Sequence, residues 1–122
     1  MARIWSDEGK LERWLEVELA ALDAWAEVGT VPTEAAKEIH VKAKAPSPER
    51  VAEIEEKTQH DLAAFVDAVT SELGQAGRWF HYGLTSSDVV DTALALQLRA
   101  SGELIMDGID RTFAAVVKRA DE

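Results

Sequence analysis

The stretch His81-Tyr82-Gly83-Leu84-Thr85-Ser86-Ser87-Asp88-Val89-Val90-Asp91-Thr92-Ala93 carries a polar loop directly into a long apolar helix. Three hydroxyl side chains, Thr85, Ser86 and Ser87, stand where the N-cap of that helix belongs. Side-chain oxygens and unpaired backbone N–H groups therefore gather at one helix start, an arrangement that suits an anion. A plain N-cap is the competing interpretation. Asp88 favours it, because a carboxylate in the first turn competes with an anion for the same N–H groups.

The helix that follows this loop is long and carries no stop signal. Its apolar residues recur at helical spacing from Val90 to Val117, which predicts roughly thirty helical residues. The final Ala120-Asp121-Glu122 offers neither a glycine nor a proline to end the helix, so we expect the chain to stop mid-element. Gly102 and Gly108 weaken a helix interior, and close packing in a bundle would explain them.

Helical periodicity also fills the chain before the loop, where strand alternation and internal repeats are both missing. We expect four helices there, the first three capped by Ser6, Thr33 and Ser47 and the fourth running from Asp61. The first, second and fourth should end near Gly29, near Lys44, and at Gly74 and Gly77. The sequence therefore predicts an all-α fold: a single domain of several short helices followed by one long bundle-type helix.

Composition excludes several classes of partner. Among 122 residues, 23 are acidic and 13 basic, and the net charge of −10 opposes attraction to nucleic acid or anionic membranes. The chain has no cysteine, so neither disulfides nor thiolate metal sites are expected. No apolar run reaches about 18 residues, and the start lacks the apolar core of a signal peptide. We expect a soluble, unprocessed, cytoplasmic chain that binds neither nucleic acid nor membrane.

A second candidate site is Gln59-His60-Asp61, at the junction of two helical patterns. An imidazole beside an amide and a carboxylate can hold one tautomer and orient an anionic or amine-bearing substrate. His60 and His81 would converge if the helices fold back. The competing interpretation is a polar turn in which Asp61 caps the next helix and His60 is merely exposed.

Other conspicuous residues predict structure rather than chemistry. Trp14 and Trp25 lie on the apolar stripe of the first helix, where packing is their expected role. His40 is predicted to be a surface histidine on its short helix. No metal-site spacing is present, so we expect no metal. The acids interleaved with the first apolar stripe predict a solvated face; they are Glu12, Glu16, Glu18, Asp23 and Glu27.

Four segments together resemble the amino-terminal domain of bacterial adenylosuccinate lyase, of the fumarase/aspartase superfamily. They are Ile4-Trp5-Ser6-Asp7-Glu8, Trp14-Leu15-Glu16-Val17-Glu18, Gln59-His60-Asp61 and the run from His81 to Thr92. The resemblance spans nearly the whole chain, and the last run is its most specific part. It implies that residues 1–122 form an N-terminal helical domain, with residues from about 88 to 122 beginning the long helix of a central bundle domain.

The same resemblance implies an activity. Family members eliminate fumarate from adenylosuccinate to give AMP, and from the related succinylocarboxamide ribotide in purine biosynthesis, without metal or organic cofactor. By resemblance, His60 and His81 are the catalytic candidates. The substrate-binding candidates are Gln59, His60, Asp61, Thr85 and Ser86. The family assembles homotetramers, so a homo-oligomer with adenylosuccinate, AMP and fumarate as ligands is expected.

Two further expectations qualify that activity. In the family, the principal base and acid are a histidine of the next domain and a serine on a mobile loop, and this sequence ends before both. The chain alone is therefore expected to be inactive. The rival hypothesis is a noncatalytic helical module whose last helix, through its apolar residues between 94 and 117, pairs with itself or with a partner.

Overall fold

Five α-helices and two 3₁₀ segments form the chain in a computed structural model that describes residues 1–122. Strands are absent, so the predicted all-α fold is confirmed. The 3₁₀ segments span Ala2–Trp5 and Gly74–Trp79. The helices are α1 (Asp7–Glu27), α2 (Thr33–Lys42), α3 (Pro48–Thr58), α4 (Asp61–Thr70) and α5 (Ser86–Ala120).

The core lies where α1, α4 and the start of α5 meet the shorter elements. Trp14 of α1 meets Phe65 of α4 edge to face, with ring centroids 5.5 Å apart and planes at 85°. Such aromatic pairs add to the free energy gained by burying apolar surface. Val89 and Ala93 close the core from α5, and both are fully buried. The apolar stripes predicted for the first, fourth and last helices therefore face one common core.

The N-terminal 3₁₀ segment is bound to the middle of α5. Trp5 donates its indole N–H to Ser101 Oγ over 2.9 Å, and Gln97 donates its amide to the Ile4 carbonyl over 2.6 Å. The Gln97 and Ser101 side chains are buried, because they lie on the part of α5 that contacts this segment. Together with the packing of α5 along α1, these bonds fix the direction of the long helix.

Beyond Ser101 the long helix leaves the core. No residue after Ser101 is buried, and the remaining 19 helical residues extend roughly 28 Å. An added Cβ at Gly102 or Gly108 would meet no atom within 4 Å, so nothing in this chain packs closely against those glycines. The apolar side chains on this segment are therefore exposed; they include Ile105, Ile109, Phe113 and Val116.

Two predicted helix boundaries differ from the structure. Pro32, with extended backbone, is the N-cap of α2, and Thr33 is its first helical residue rather than its cap. The fourth helix ends at Thr70 instead of continuing to the glycines at 74 and 77. There the hydroxyls of Thr70 and Ser71 bond to carbonyls of the preceding turn, competing with regular helix bonding.

Candidate functional site

Two helix starts meet at His60 and Ser86. His60 is the N-cap of α4, and its Nδ1 accepts the backbone N–H of Ala63 over 3.4 Å. Its Nε2 lies 3.1 Å from Oγ of Ser86, the first residue of α5. Because Nδ1 uses its lone pair as an acceptor, neutral His60 carries its proton on Nε2 and donates it to Ser86.

Asp61 and Thr85 flank this pair. The Asp61 carboxylate accepts its neighbour Leu62 N–H over 2.7 Å, and one of its oxygens lies 3.5 Å from His60 Nδ1. Thr85 is the N-cap of α5, and its backbone N–H donates to the Asp88 carboxylate over 2.8 Å. The acid at position 88 thus forms part of a capping box, the N-cap arrangement that the sequence left open. His60 and Asp61 are about half exposed.

Gln59 lies on the other side of His60 and turns away from Ser86. Its side-chain amide donates to the Glu56 carbonyl over 2.9 Å, so it returns to the end of α3. Its backbone is left-handed, with φ of 54°. The other non-glycine residue with positive φ is His81, at 60°. Both strained residues fall in the two segments singled out as sites, where such backbones are often found.

His81 bonds to an acid from α1 rather than to His60. Its Nδ1 lies 2.6 Å from Oε1 of Glu18, whose side chain has no exposed surface. Burial raises the pKa of the Glu18 carboxyl above its ordinary value, against the opposing effect of the His81 hydrogen bond. The second oxygen, Oε2, is buried without a hydrogen-bond partner. The His81 imidazole itself remains about a quarter exposed.

Aromatic packing holds the loop that carries His81. The Tyr82 ring meets Trp25 edge to face at 5.6 Å between centroids, and it lies 5.4 Å from Trp79. Gly83 has φ of 72°, and a Cβ placed there would come within 2.9 Å of the Trp25 ring. Only glycine tolerates both that backbone and that approach. The loop therefore reaches α5 in one fixed shape.

Comparison with known proteins identifies the group to which this fold and these helix starts belong. A family described as lyase matches residues 1–122, the whole chain. The chain belongs to this lyase family. The resemblance noted in the sequence is thereby confirmed, and all of the chain takes part in it.

Curated relatives of this lyase-family chain are adenylosuccinate lyases. It is 48% identical to an adenylosuccinate lyase of Synechocystis sp. over 122 residues. Identity is 42% to the adenylosuccinate lyase of Bacillus subtilis and 41% to that of Staphylococcus saprophyticus. All of this chain is covered in each comparison, but the chain spans only 28% of the length of each of these relatives.

Solved structures give the same fold. A fumarate lyase from Mesorhizobium sp. matches with a TM-score of 0.82 and 31% identity, over 89% of this chain and 26% of the other. A β-carboxy-cis,cis-muconate cycloisomerase from Acinetobacter calcoaceticus matches with a TM-score of 0.81 and 28% identity, over 89% and 27% of the two chains. The helical arrangement of this chain is therefore shared with both of these enzymes.

The lyase-family chain differs from two interpretations of its sequence. Asp61 does not cap α4, because His60 occupies the N-cap itself. Glu18 is not part of a solvated acidic face, because it is buried and paired with His81. A signal for this burial existed in the sequence: position 18 follows Leu11 and Trp14 and precedes Leu22 at helical spacing, on the buried stripe of α1.

Two other features are absent from the lyase-family chain. No group of three or more histidine, cysteine, aspartate or glutamate side chains is arranged to hold a metal ion. No helix, α5 included, combines the length and the apolarity needed to cross a membrane.

Proposed function

We propose that residues 1–122 form the N-terminal helical domain of an adenylosuccinate lyase, with residues from about 88 to 122 beginning the long helix of its central bundle. Such an enzyme eliminates fumarate from adenylosuccinate, giving AMP, and from succinylocarboxamide ribotide in purine biosynthesis. Three curated relatives with that name, at 41–48% identity, support the proposal. The enzyme would act in the cytoplasm as a homotetramer and need no cofactor.

One observation supports the location of the substrate site: His60 Nε2 lies 3.1 Å from Ser86 Oγ, where the first residues of two helices meet. Both substrates are polyanions. Helix starts present unpaired N–H groups and partial positive charge, and the imidazole and hydroxyl add directional donors. Thr85 and Ser86 would bind a succinyl carboxylate here, while His60 would lie near the leaving nitrogen.

The remaining candidates act around that pair. Asp61, whose carboxylate lies 3.5 Å from His60 Nδ1, would contact the substrate beside the imidazole, and Gln59 would reach the substrate after releasing its bond to the Glu56 carbonyl. His81, on the preceding loop, would line the same pocket through its free nitrogen, Nε2. Gln59 would thus need to rearrange, whereas the other side chains can act in the positions they already hold.

Elimination requires two proton transfers. A base removes a proton from the carbon adjacent to the one that carries the nitrogen, the electron pair of that C–H bond forms the carbon–carbon double bond of fumarate, and the C–N bond breaks with its electron pair on the nitrogen. An acid then supplies a proton to the departing nitrogen. We propose that the principal acid and base come from other segments of the enzyme, so these 122 residues alone release no fumarate.

A noncatalytic oligomerisation module is the second candidate function. It is favoured by the apolar face of α5 beyond the core, where Ile105, Ile109 and Phe113 are all more than half exposed. An exposed face of this kind is typical of a protein–protein contact surface. Both functions expect self-association through α5, so only binding or catalysis at His60 and Ser86 separates them.

A chimera tests the lyase proposal. This chain would replace the matching segment of the Synechocystis adenylosuccinate lyase, to which it is 48% identical, and fumarate release would be followed by ultraviolet absorbance. We expect activity in the chimera and none from the 122-residue chain alone. His60→Gln should lower kcat/KM by about 100-fold or more, as loss of one preorganised hydrogen-bond donor beside the reacting atoms does.

His40→Gln is the matched control, because His40 is also half exposed but pairs with Asp23 on another surface. It should leave kcat/KM unchanged. A folded, tetrameric chimera without activity, or one in which His60→Gln and His40→Gln behave alike, would contradict the proposal and favour the noncatalytic module. Fumarate release by the chain alone would contradict its predicted inactivity.

A further inference from the structure

Glu18 is the one buried carboxylate on α1, and its chemistry is not used by the residues assigned above. Its side chain has no exposed surface, while its neighbours Glu12 and Glu16 on the same helix are about half exposed. A carboxylate with no access to water is costly unless it bonds to a partner of complementary charge or polarity. Its partner is His81.

The contact is specific in geometry. Oε1 of Glu18 lies 2.6 Å from Nδ1 of His81, although the two residues are 63 positions apart. Oε2 has no hydrogen-bond partner, so His81 is the only side chain that satisfies this carboxyl group. A carboxylate can only accept, so the shared proton belongs to Nδ1 of the imidazole.

The loop that carries His81 is constrained by its backbone and by aromatic packing. Its backbone is held at a φ of 60°, a region disfavoured for residues other than glycine. The next residues are fixed by Tyr82 against Trp25 and by Gly83 under the same ring. With Nδ1 bound to α1, Nε2 is the nitrogen left free, on an imidazole that is a quarter exposed.

His60 and His40 have the opposite arrangement. Nδ1 of His60 accepts the Ala63 N–H, so its neutral form keeps the proton on Nε2. Nε2 of His40 lies 2.6 Å from Asp23 Oδ1 and likewise keeps its proton to donate. The second hydrogen bond of an imidazole fixes its tautomer. Of the three histidines, His81 alone forms a hydrogen bond between Nδ1 and a carboxyl group; the Asp61 oxygen 3.5 Å from His60 Nδ1 makes no hydrogen bond with it.

We propose that Glu18 is a positioning residue that fixes His81 as the Nδ1–H tautomer, so that Nε2 is the nitrogen that gains and loses a proton toward the substrate. Neutral His81 then presents an acceptor at Nε2, while neutral His60 presents a donor. The tautomer is a property of this chain alone; its consequence for substrate rests on the proposed lyase function. Two histidines of one site would thus have complementary roles, set by different partners.

Nitrogen NMR of the 122-residue chain tests the tautomer without any substrate. At a pH where the histidines are neutral, long-range ¹H–¹⁵N spectra should show His81 as Nδ1–H, and His60 and His40 as Nε2–H. Glu18→Met removes the acceptor and should return His81 to mainly Nε2–H, the form that free imidazole side chains prefer. Glu12→Met makes the same change at an exposed position of α1 and should leave His81 as Nδ1–H.

If the wild-type spectrum shows His81 as the Nε2–H tautomer, the proposal is overturned, because Glu18 would then be the donor. The proposal is also overturned if His81 keeps the same tautomer in Glu18→Met. If Glu18→Met does not fold, the wild-type spectrum still decides. In the chimera, Glu18→Met should lower kcat/KM by about 10- to 100-fold, as loss of groups that orient functional histidines does. If the chimera is inactive but His81 is the Nδ1–H tautomer, the proposed lyase function is contradicted, whereas the positioning role of Glu18 is not.

Discussion

The imidazole of His60 and the hydroxyl of Ser86 join the first residues of two helices, with Nε2 and Oγ 3.1 Å apart across 26 positions of sequence. Neither group is fully buried, so the bond itself adds little to folding stability. Its importance is geometric. It places a nitrogen donor and a hydroxyl beside the N–H groups of α5, where an anion would be stabilised.

Ser86→Ala separates the contribution of this hydroxyl to folding stability from its contribution to substrate binding. The free energy of unfolding should fall by about 1 kcal/mol at most, the usual net value of one hydrogen bond. In the chimera, kcat/KM should fall about 10- to 100-fold, because a hydrogen bond to a charged substrate group is stronger. Ser87→Ala is the control, since Ser87 is exposed and its side chain makes no hydrogen bond. Equal kinetic effects of the two substitutions would argue against Ser86 as a substrate ligand.

Gly83→Ala tests how firmly the His81 loop is held against α1. Gly74 provides a matched position, because its φ is also positive, at 56°, but a Cβ there would meet no atom within 4 Å. Gly74→Ala should cost about 1–2 kcal/mol of unfolding free energy from the left-handed backbone alone. Gly83→Ala should cost at least ~1 kcal/mol more, because its Cβ also collides with Trp25. Urea denaturation of both variants measures the difference, and equal costs would mean that the Trp25 contact yields easily.

Glu18→Met should stabilise the chain while it damages the site. Burial raises the pKa of the Glu18 carboxyl above 4.5, so the folded chain keeps a proton that the unfolded chain releases between 4.5 and that higher value. The stability contributed by Glu18 is therefore complete below pH 4.5 and is lost as the pH rises through the folded pKa. Methionine does not titrate and suits the apolar stripe, so it avoids the cost of burying a carboxylate, and we expect the chain to gain about 1–3 kcal/mol of unfolding free energy above the folded pKa.

Unfolding measured from pH 4.5 upward should show the advantage of Glu18→Met over the wild type growing with pH. Glu12→Met serves as the control for loss of one negative charge from α1, since the Glu12 side chain is half exposed. A Glu18→Met variant whose advantage stays constant with pH would show that burial does not raise the pKa of the Glu18 carboxyl.

Glu18 and His60 differ in how well the sequence alone predicts their surroundings. The His60 and Ser86 segments could be predicted because helix caps and apolar stripes depend on residues within a few positions. The pairing of Glu18 with His81 depends on how a loop packs on α1, and only the place of Glu18 on the apolar stripe hinted at burial. The early end of α4 depended on the hydroxyls of Thr70 and Ser71, which bond locally in competition with the helix.

Ile109→Glu tests the apolar face of α5, which both candidate functions need. Leu98, Ile105, Ile109 and Phe113 follow helical spacing on one face, and each is more than half exposed. A charge in the middle of a helix–helix contact would be buried without a partner, so Ile109→Glu should shift the chain toward monomer in sedimentation equilibrium. Ala114→Glu adds the same charge on the opposite face, at a position that is already exposed, and should leave the association constant within about twofold. If both variants associate as the wild type does, this face is not the contact surface, and the exposed side chains of α5 must meet a different partner.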